Sequence, residues 1–108
     1  MTPIVIYGVG GFGREVHELV EDINDDSRAF EILGFLDGDE RLHGTVVHDL
    51  PVLGDAGWLL NNKGTAVALG VGNTKAKMRI VQQLRAAGAL FPSLIHPTAA
   101  VGRRVEVG

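Results

Sequence analysis

A chain of 108 residues with 45% apolar and 21% charged residues is sized and composed for a soluble domain that carries its own core. Its net charge of -3, with acids and bases interspersed, argues against nucleic acid as a partner, and no stretch approaches the ~20 apolar residues of a membrane span. The absence of cysteine excludes disulfides, thiolate zinc sites and cysteine nucleophiles. At the N-terminus the apolar run is too short for a signal peptide and no basic segment precedes it, so a cytoplasmic location is expected.

Ile4-Val5-Ile6-Tyr7 is a continuous apolar run ending at glycine, the pattern of a strand buried on both faces of a parallel sheet. Gly8-Val9-Gly10-Gly11-Phe12-Gly13 follows, and from Arg14 the spacing of Val16, Leu19, Val20 and Ile23 predicts a helix. Its early acids suit the positive end of the helix dipole, and Asn24-Asp25-Asp26-Ser27 is expected to end it. Phe30 to Leu36 predicts a second strand. Glu40 to Gly54 is irregular, with short extended pieces at Val46-Val47 and Pro51–Gly54. Asp55 reads as the N-cap of a short helix carrying Trp58, Leu59 and Leu60. Thr65 to Leu69 is a third buried strand, and Gly70-Val71-Gly72-Asn73 leads into a helix with Met78, Ile80, Val81 and Leu84 on its apolar side. Gly88 ends that helix, and Phe91 to Ile95 is a final short strand. Alternating strands and helices predict a Rossmann-like, doubly wound α/β domain with a mostly parallel sheet.

Gly8, Gly10 and Gly13 form G-x-G-x-x-G between the first strand and the first helix. The first glycine permits a tight turn, the second lets phosphates approach the backbone, and the third lets helix and strand pack closely. Free N–H groups and the helix dipole then favour an anion. Asp37 ends the second strand, 24 positions after Gly13, where such domains place a ribose-binding carboxylate at a spacing of about 20. Asp37-Gly38 is also a common turn pair, so a purely local role stays open. Gly72 and Asn73 form a second glycine-rich turn at the same sheet edge, with Lys77 one helical turn on as a candidate phosphate partner.

The histidines carry little catalytic signal. His17 is expected at the surface or edge of the first helix, and His43 and His48 lack metal-ligand spacing, so no metal is expected. His96 precedes Pro97 at the entry to the last segment. There, Ile95, Val101 and Val107 recur every six positions, the register of a hexapeptide β-helix. Barely two repeats are present where about three are needed, so the chain reads as the front of a longer protein, with an α/β domain over 1–94 and the truncated start of a β-helix over 95–108.

The ordered set Gly8–Val16, Gly34-Phe35-Leu36-Asp37, Pro51-Val52-Leu53-Gly54, Gly70-Val71-Gly72-Asn73 and Ile95-His96-Pro97-Thr98-Ala99 resembles the N-terminal domain of bacterial sugar O-/N-acetyltransferases. Sialic acid O-acetyltransferase and the UDP-bacillosamine acetyltransferases belong to that family. The resemblance implies that 1–94 is a nucleotide-sugar-binding domain, taking a UDP-sugar or related nucleotide-sugar acceptor, and that 95–108 is the truncated start of a left-handed β-helix. It implies that the full protein is a homotrimer using acetyl-CoA as co-substrate, with a catalytic histidine beyond this chain and no catalytic residue within it. Carried onto these residues, Gly8, Gly10, Gly11, Phe12, Gly13 and Arg14 would face the nucleotide sugar, with Asp37 near base or ribose and Gly72, Asn73 and Lys77 flanking the crevice. Phe12 departs from the histidine that many members carry there, and Lys77 from an arginine. An NAD(P)-binding oxidoreductase module explains the glycine loop and Asp37 equally well, but leaves the six-residue rhythm unexplained. A domain that senses nucleotides or oligomerises without catalysis is a third reading.

Overall fold

The computed structural model describes residues 2–70, 74–91, 93–95 and 104–106. Strand β1 (Thr2–Tyr7) leads into α1 (Gly11–Ser27), and β2 (Phe30–Leu36) lies parallel to β1. A short hairpin, β3 (Val46–Val47) and β4 (Leu50–Gly54), follows a single 3-10 turn at Glu40–Leu42. A longer 3-10 turn at Ala56–Asn61 then precedes β5 (Ala66–Leu69) and α2 (Thr74–Ala86). The five strands order as β3-β4-β2-β1-β5, parallel except for the antiparallel edge strand β3. Leu90 adds a parallel bridge to Ala66 on the free side of β5, with Val67 N–H donating to the Leu90 carbonyl. This is the doubly wound α/β arrangement that the strand–helix alternation predicts.

Connection handedness sets the layers. The β1-α1-β2 unit steps one way along the sheet and the β5-α2-Leu90 unit steps the other. Right-handed crossovers therefore put α1 and α2 on opposite faces. Burial follows: Ile4 to Tyr7 and Ala66 to Leu69 are buried throughout, as strands covered on both faces must be. From α1 the core takes Val16 and Val20, and from α2 it takes Leu84.

Helix boundaries differ from the sequence expectation in instructive ways. Helix α1 starts at Gly11, so its first turn holds no acid and the expected dipole pairing of the early glutamates does not arise. The helix ends inside the expected Asn24–Ser27 stretch, at Ser27. The Asn24 side-chain amide donates to the Phe30 carbonyl at 2.8 Å and accepts from Phe30 N–H at 2.9 Å, so Asn24 also clamps the entry to β2. The C-cap is Arg28, which is left-handed (φ 51°) and donates its N–H to the Asn24 carbonyl. Asp55 caps the 3-10 turn as expected, accepting from Gly57 N–H at 2.8 Å, and Leu59 is its buried residue.

On α2, Leu84 is fully buried but Met78, placed by spacing on the apolar side, is 63% exposed. Toward the end, Ser93–Ile95 pairs antiparallel with Arg104–Glu106, forming a separate two-stranded sheet of β6 and β7. Val101 and Val107 of the six-residue rhythm lie outside the described residues, as does His96.

Leu84→Ala removes a side chain with no exposed surface and is expected to cost about 2–5 kcal/mol, whereas Met78→Ala is expected to change stability by roughly 0.5 kcal/mol or less. Urea unfolding of the two variants checks the contrast; equal losses would place the apolar face of α2 wrongly.

Candidate functional site

The glycine loop is built by three backbones that approach too closely for side chains. Gly8 has a left-handed φ of 103°, which turns the chain sharply out of β1. A Cβ on Gly13 would overlap the Gly8 carbonyl oxygen, and a Cβ on Gly70 would run into the Gly13 Cα. Gly10 is the opposite case: a Cβ there would meet nothing within 4 Å. The three glycines thus divide as their motif predicts, with turn at Gly8, close packing at Gly13, and an open approach at Gly10. Gly10 caps α1 from an extended conformation with no side-chain hydrogen bond, so the first-turn N–H groups are left for an outside acceptor.

Backbone hydrogen bonds carry the sheet's order beyond the strand ends. Gly8 N–H donates to the Leu36 carbonyl at 2.7 Å, Gly70 N–H to Tyr7 at 2.8 Å, and Asp37 N–H to Gly54 at 2.9 Å. The loops after β1, β2, β4 and β5 are therefore held together at one edge. The Asp37 carboxylate completes this: Oδ2 accepts from Val9 N–H at 3.2 Å and Oδ1 from Asp39 N–H at 2.9 Å. Asp37 is thus both the turn residue and the tether of the glycine loop. Two carboxylate oxygens offer about four acceptor positions, so capacity remains for a ligand hydroxyl. His43, without metal-ligand spacing in the sequence, packs here as well, with Nε2 2.7 Å from the Asp37 carbonyl.

Beside this edge, on the face covered by α2, lies a cavity of about 560 Å³ lined by Tyr7, Gly38, Asp55, Gly57, Leu60 and Gln83 among others. Sequence reading named Asp55 only as a cap and passed over Tyr7 and Gln83. Tyr7 could have been found, because it is the last residue of β1 and so lies at the carboxyl edge where ligands settle in such sheets. Gln83 carries no local signal. Burial raises the Tyr7 pKa above its ordinary 10.0, and the nearby carboxylates of Asp37 and Asp55 raise it further.

Of the other expected site residues, Gly11, Phe12 and Arg14 lie in the first turn of α1, with the Arg14 side chain exposed. The Phe12 side chain, Gly72 and Asn73 fall outside what the structure describes. Lys77 is half-buried on α2 and already engaged in an interaction. His17, expected at the surface or edge of α1, is instead 3% exposed, because the β3–β4 turn and Phe35 cover it. Among the described residues no group of three or more His, Asp or Glu side chains is placed to hold a metal ion. Nor is any helix among them long and apolar enough to cross a membrane.

The sequence profile of the PglD N-terminal domain matches residues 3–84. Among solved structures, the acetyltransferase domain of PglB from Neisseria gonorrhoeae, in complex with acetyl coenzyme A, is 28% identical with a TM-score of 0.66, over 89% of this chain and 44% of that one. A mutant perosamine N-acetyltransferase from Caulobacter crescentus, in complex with CoA and GDP-perosamine, shares the fold at 21% identity with a TM-score of 0.72, over 89% of this chain and 43% of that one. RSP in complex with β-NADH shares it at 22% identity with a TM-score of 0.60, over 82% and 43%. No curated protein sequence matches the chain. The chain spans less than half the length of the acetyltransferases it matches.

Two outcomes follow from the loop. Gly13→Ala must displace the Gly8 carbonyl and is expected to destabilise by roughly 3 kcal/mol or more, while Gly10→Ala should cost about 1 kcal/mol or less; guanidinium unfolding of both variants tests the pair. The chain has one tyrosine, so absorbance at 295 nm titrates Tyr7 alone. With its folded pKa above the unfolded 10.0, Tyr7 contributes stability that is complete below pH 10 and lost as pH rises through the folded value. Its midpoint should lie above that of the urea-unfolded chain, and Tyr7→Phe should flatten the alkaline loss of stability; coincident midpoints would refute the burial.

Proposed function

The chain belongs to the PglD N-terminal domain family, and from that premise we propose that it is the acceptor-binding domain of a cytoplasmic, acetyl-CoA-dependent sugar acetyltransferase. Its ligand is a nucleotide sugar, such as a UDP-sugar, acetylated on an amino or hydroxyl group. The observation that carries this is the open approach at Gly10, above uncapped N–H groups and beside a cavity lined by Asp55 and by Tyr7, which feels the Asp37 charge as well. The two charge environments suit two parts of one molecule. A diphosphate is favoured at the positive end of α1, and hydroxyl or N–H groups are favoured against Asp37 and Asp55. A phosphate placed at the carboxylates would be repelled.

Gly8, Gly10, Gly11, Phe12, Gly13 and Arg14 would then line the phosphate side, Asp37 the ribose or base, and Gly72, Asn73 and Lys77 the far rim. In the full protein, a homotrimer in this reading, a histidine outside this chain removes the acceptor's proton as its nitrogen or oxygen attacks the acetyl carbonyl. The new bond to carbon forms, the carbon–sulfur bond breaks, and the thiol of CoA leaves. Support for this assignment comes from the likeness to the PglB acetyltransferase domain, whose structure holds acetyl coenzyme A, and from the GDP-perosamine in the Caulobacter enzyme.

A second reading, an NAD(P)-binding module, is favoured by the placement of Asp37 at the end of β2 and by the fold shared with RSP. Against it, an NAD(P)-binding module leaves the six-residue recurrence of Ile95, Val101 and Val107 unexplained.

Calorimetric titration with UDP- and GDP-sugars, NAD and acetyl-CoA separates the readings. A nucleotide sugar should bind, Gly10→Val should weaken it about tenfold or more (~1.4 kcal/mol), and the chain alone should transfer no acetyl group. Tight NAD binding with no response to any nucleotide sugar would overturn the proposal.

A further inference from the structure

The structure buries one histidine that the proposed function does not use. His17 lies on α1, on the face of the sheet opposite the cavity, and packs edge-on against the Phe35 ring at 5.9 Å between centroids. Its Nδ1 is 2.8 Å from Nδ1 of His48, with the rings at 85° and centroids 4.7 Å apart. His48 and Asp49 are the two residues of the β3–β4 turn, with φ values of 51° and 65°, the left-handed pair of a type I′ hairpin turn. The exposed turn is thus fastened across 31 residues of sequence to a helix by one nitrogen–nitrogen contact.

That contact has a proton count. Two nitrogens at 2.8 Å share a hydrogen bond; two ligands of one tetrahedral zinc ion would stand about 3.3 Å apart. A neutral imidazole has one N–H and one acceptor nitrogen, whereas the protonated ring has two N–H groups and no acceptor. Glu21 approaches His17 Nε2 with Oε1 at 2.7 Å. The alignment is too poor for a hydrogen bond, so the carboxylate acts there chiefly as a charge. It favours a proton on Nε2, which leaves His17 Nδ1 as acceptor and His48 as donor.

Adding one proton to the pair preserves the link. His17 then carries N–H on both nitrogens, faces Glu21 as a cation and donates through Nδ1 to a neutral His48. Adding a second proton does not. Both Nδ1 atoms then carry hydrogen, two donors meet head-on, and two positive rings lie within 5 Å. Among the described residues, Glu21 on α1 faces His17, Asp49 follows His48 in the turn, and β2 contributes the uncharged Phe35. His48 is the exposed partner and can move its charge into water, while His17 stays under the sheet edge.

We infer that His17 and His48 form a proton-operated latch that fastens the β3–β4 hairpin to α1, and that the hairpin is released when the pair takes up its second proton. Imidazoles change charge between pH 5 and 8, so the device works in a range that proteins meet. The hairpin continues through β4 to Gly54, next to Asp55 on the cavity wall. The inference does not depend on which nucleotide the cavity takes.

Amide exchange of residues 44–52, corrected for the intrinsic pH dependence and compared with β1 as an internal control, reads the latch directly. Between pH 7.5 and pH 5 the hairpin's protection should fall roughly tenfold or more, while β1 is unchanged. In His48→Gln, which cannot acquire the second charge, protection should be the same at both pH values. In His48→Asn, a second variant at the same exposed turn position, protection should likewise be the same at both pH values. Where one of the two variants fails to fold, the other decides. Wild-type protection that ignores pH, or a pH-dependent loss in a folded His48 variant equal to that of the wild type, would overturn the latch.

Discussion

The close approach of Gly8, Gly13 and Gly70 is the constraint on which the site depends. Helix α1 can start directly at the end of β1 only because Gly8 turns with positive φ and Gly13 has no Cβ to strike its carbonyl. Gly70 lets β5 leave the sheet against the same point, and its N–H donates to the Tyr7 carbonyl, extending the register of β1 and β5. With the helix seated so low on the sheet, its uncapped N–H groups face out past Gly10 rather than into the protein. The open helix end that the proposed phosphate site relies on is thus a result of packing.

Asp37 adds a second restraint of a different kind. Where the glycines work by absence of atoms, the carboxylate works by bonds, joining the turn after β2 to Val9 in the middle of the glycine loop. The loop's shape therefore does not rest on a ligand to organise it. The same carboxylate, with Asp55, charges the rim next to Tyr7. A negative rim beside a positive helix end is an environment for a molecule with phosphate at one end and hydroxyl or N–H donors at the other.

Much of this was legible in the residues. Ile4 to Tyr7 and Thr65 to Leu69 read as strands because buried parallel strands are near-continuously apolar, and the Asp55 cap is a local bond between neighbours. The helix end at Asn24–Ser27 was legible from its polar residues, but the bond of Asn24 to Phe30 becomes visible only when β2 returns alongside. Met78 fits helical spacing, but spacing does not say where the layer beneath the helix ends. His17 fits an exposed helical position until the β3–β4 turn, 31 residues away, closes over it.

By itself, the sequence determined the α/β class, the order of strands and helices, the place of the glycine loop and, through its ordered motifs, the family. Those depend on hydrophobic period, on turn chemistry and on residues that act through their own backbone, all local quantities. Only the tertiary structure decided that Asp37 tethers the loop, that Tyr7, Asp55 and Gln83 share a cavity, and that His17 meets His48. Each of these is a contact between residues far apart in the chain, and its energy exists only once the sheet has brought their strands to one edge.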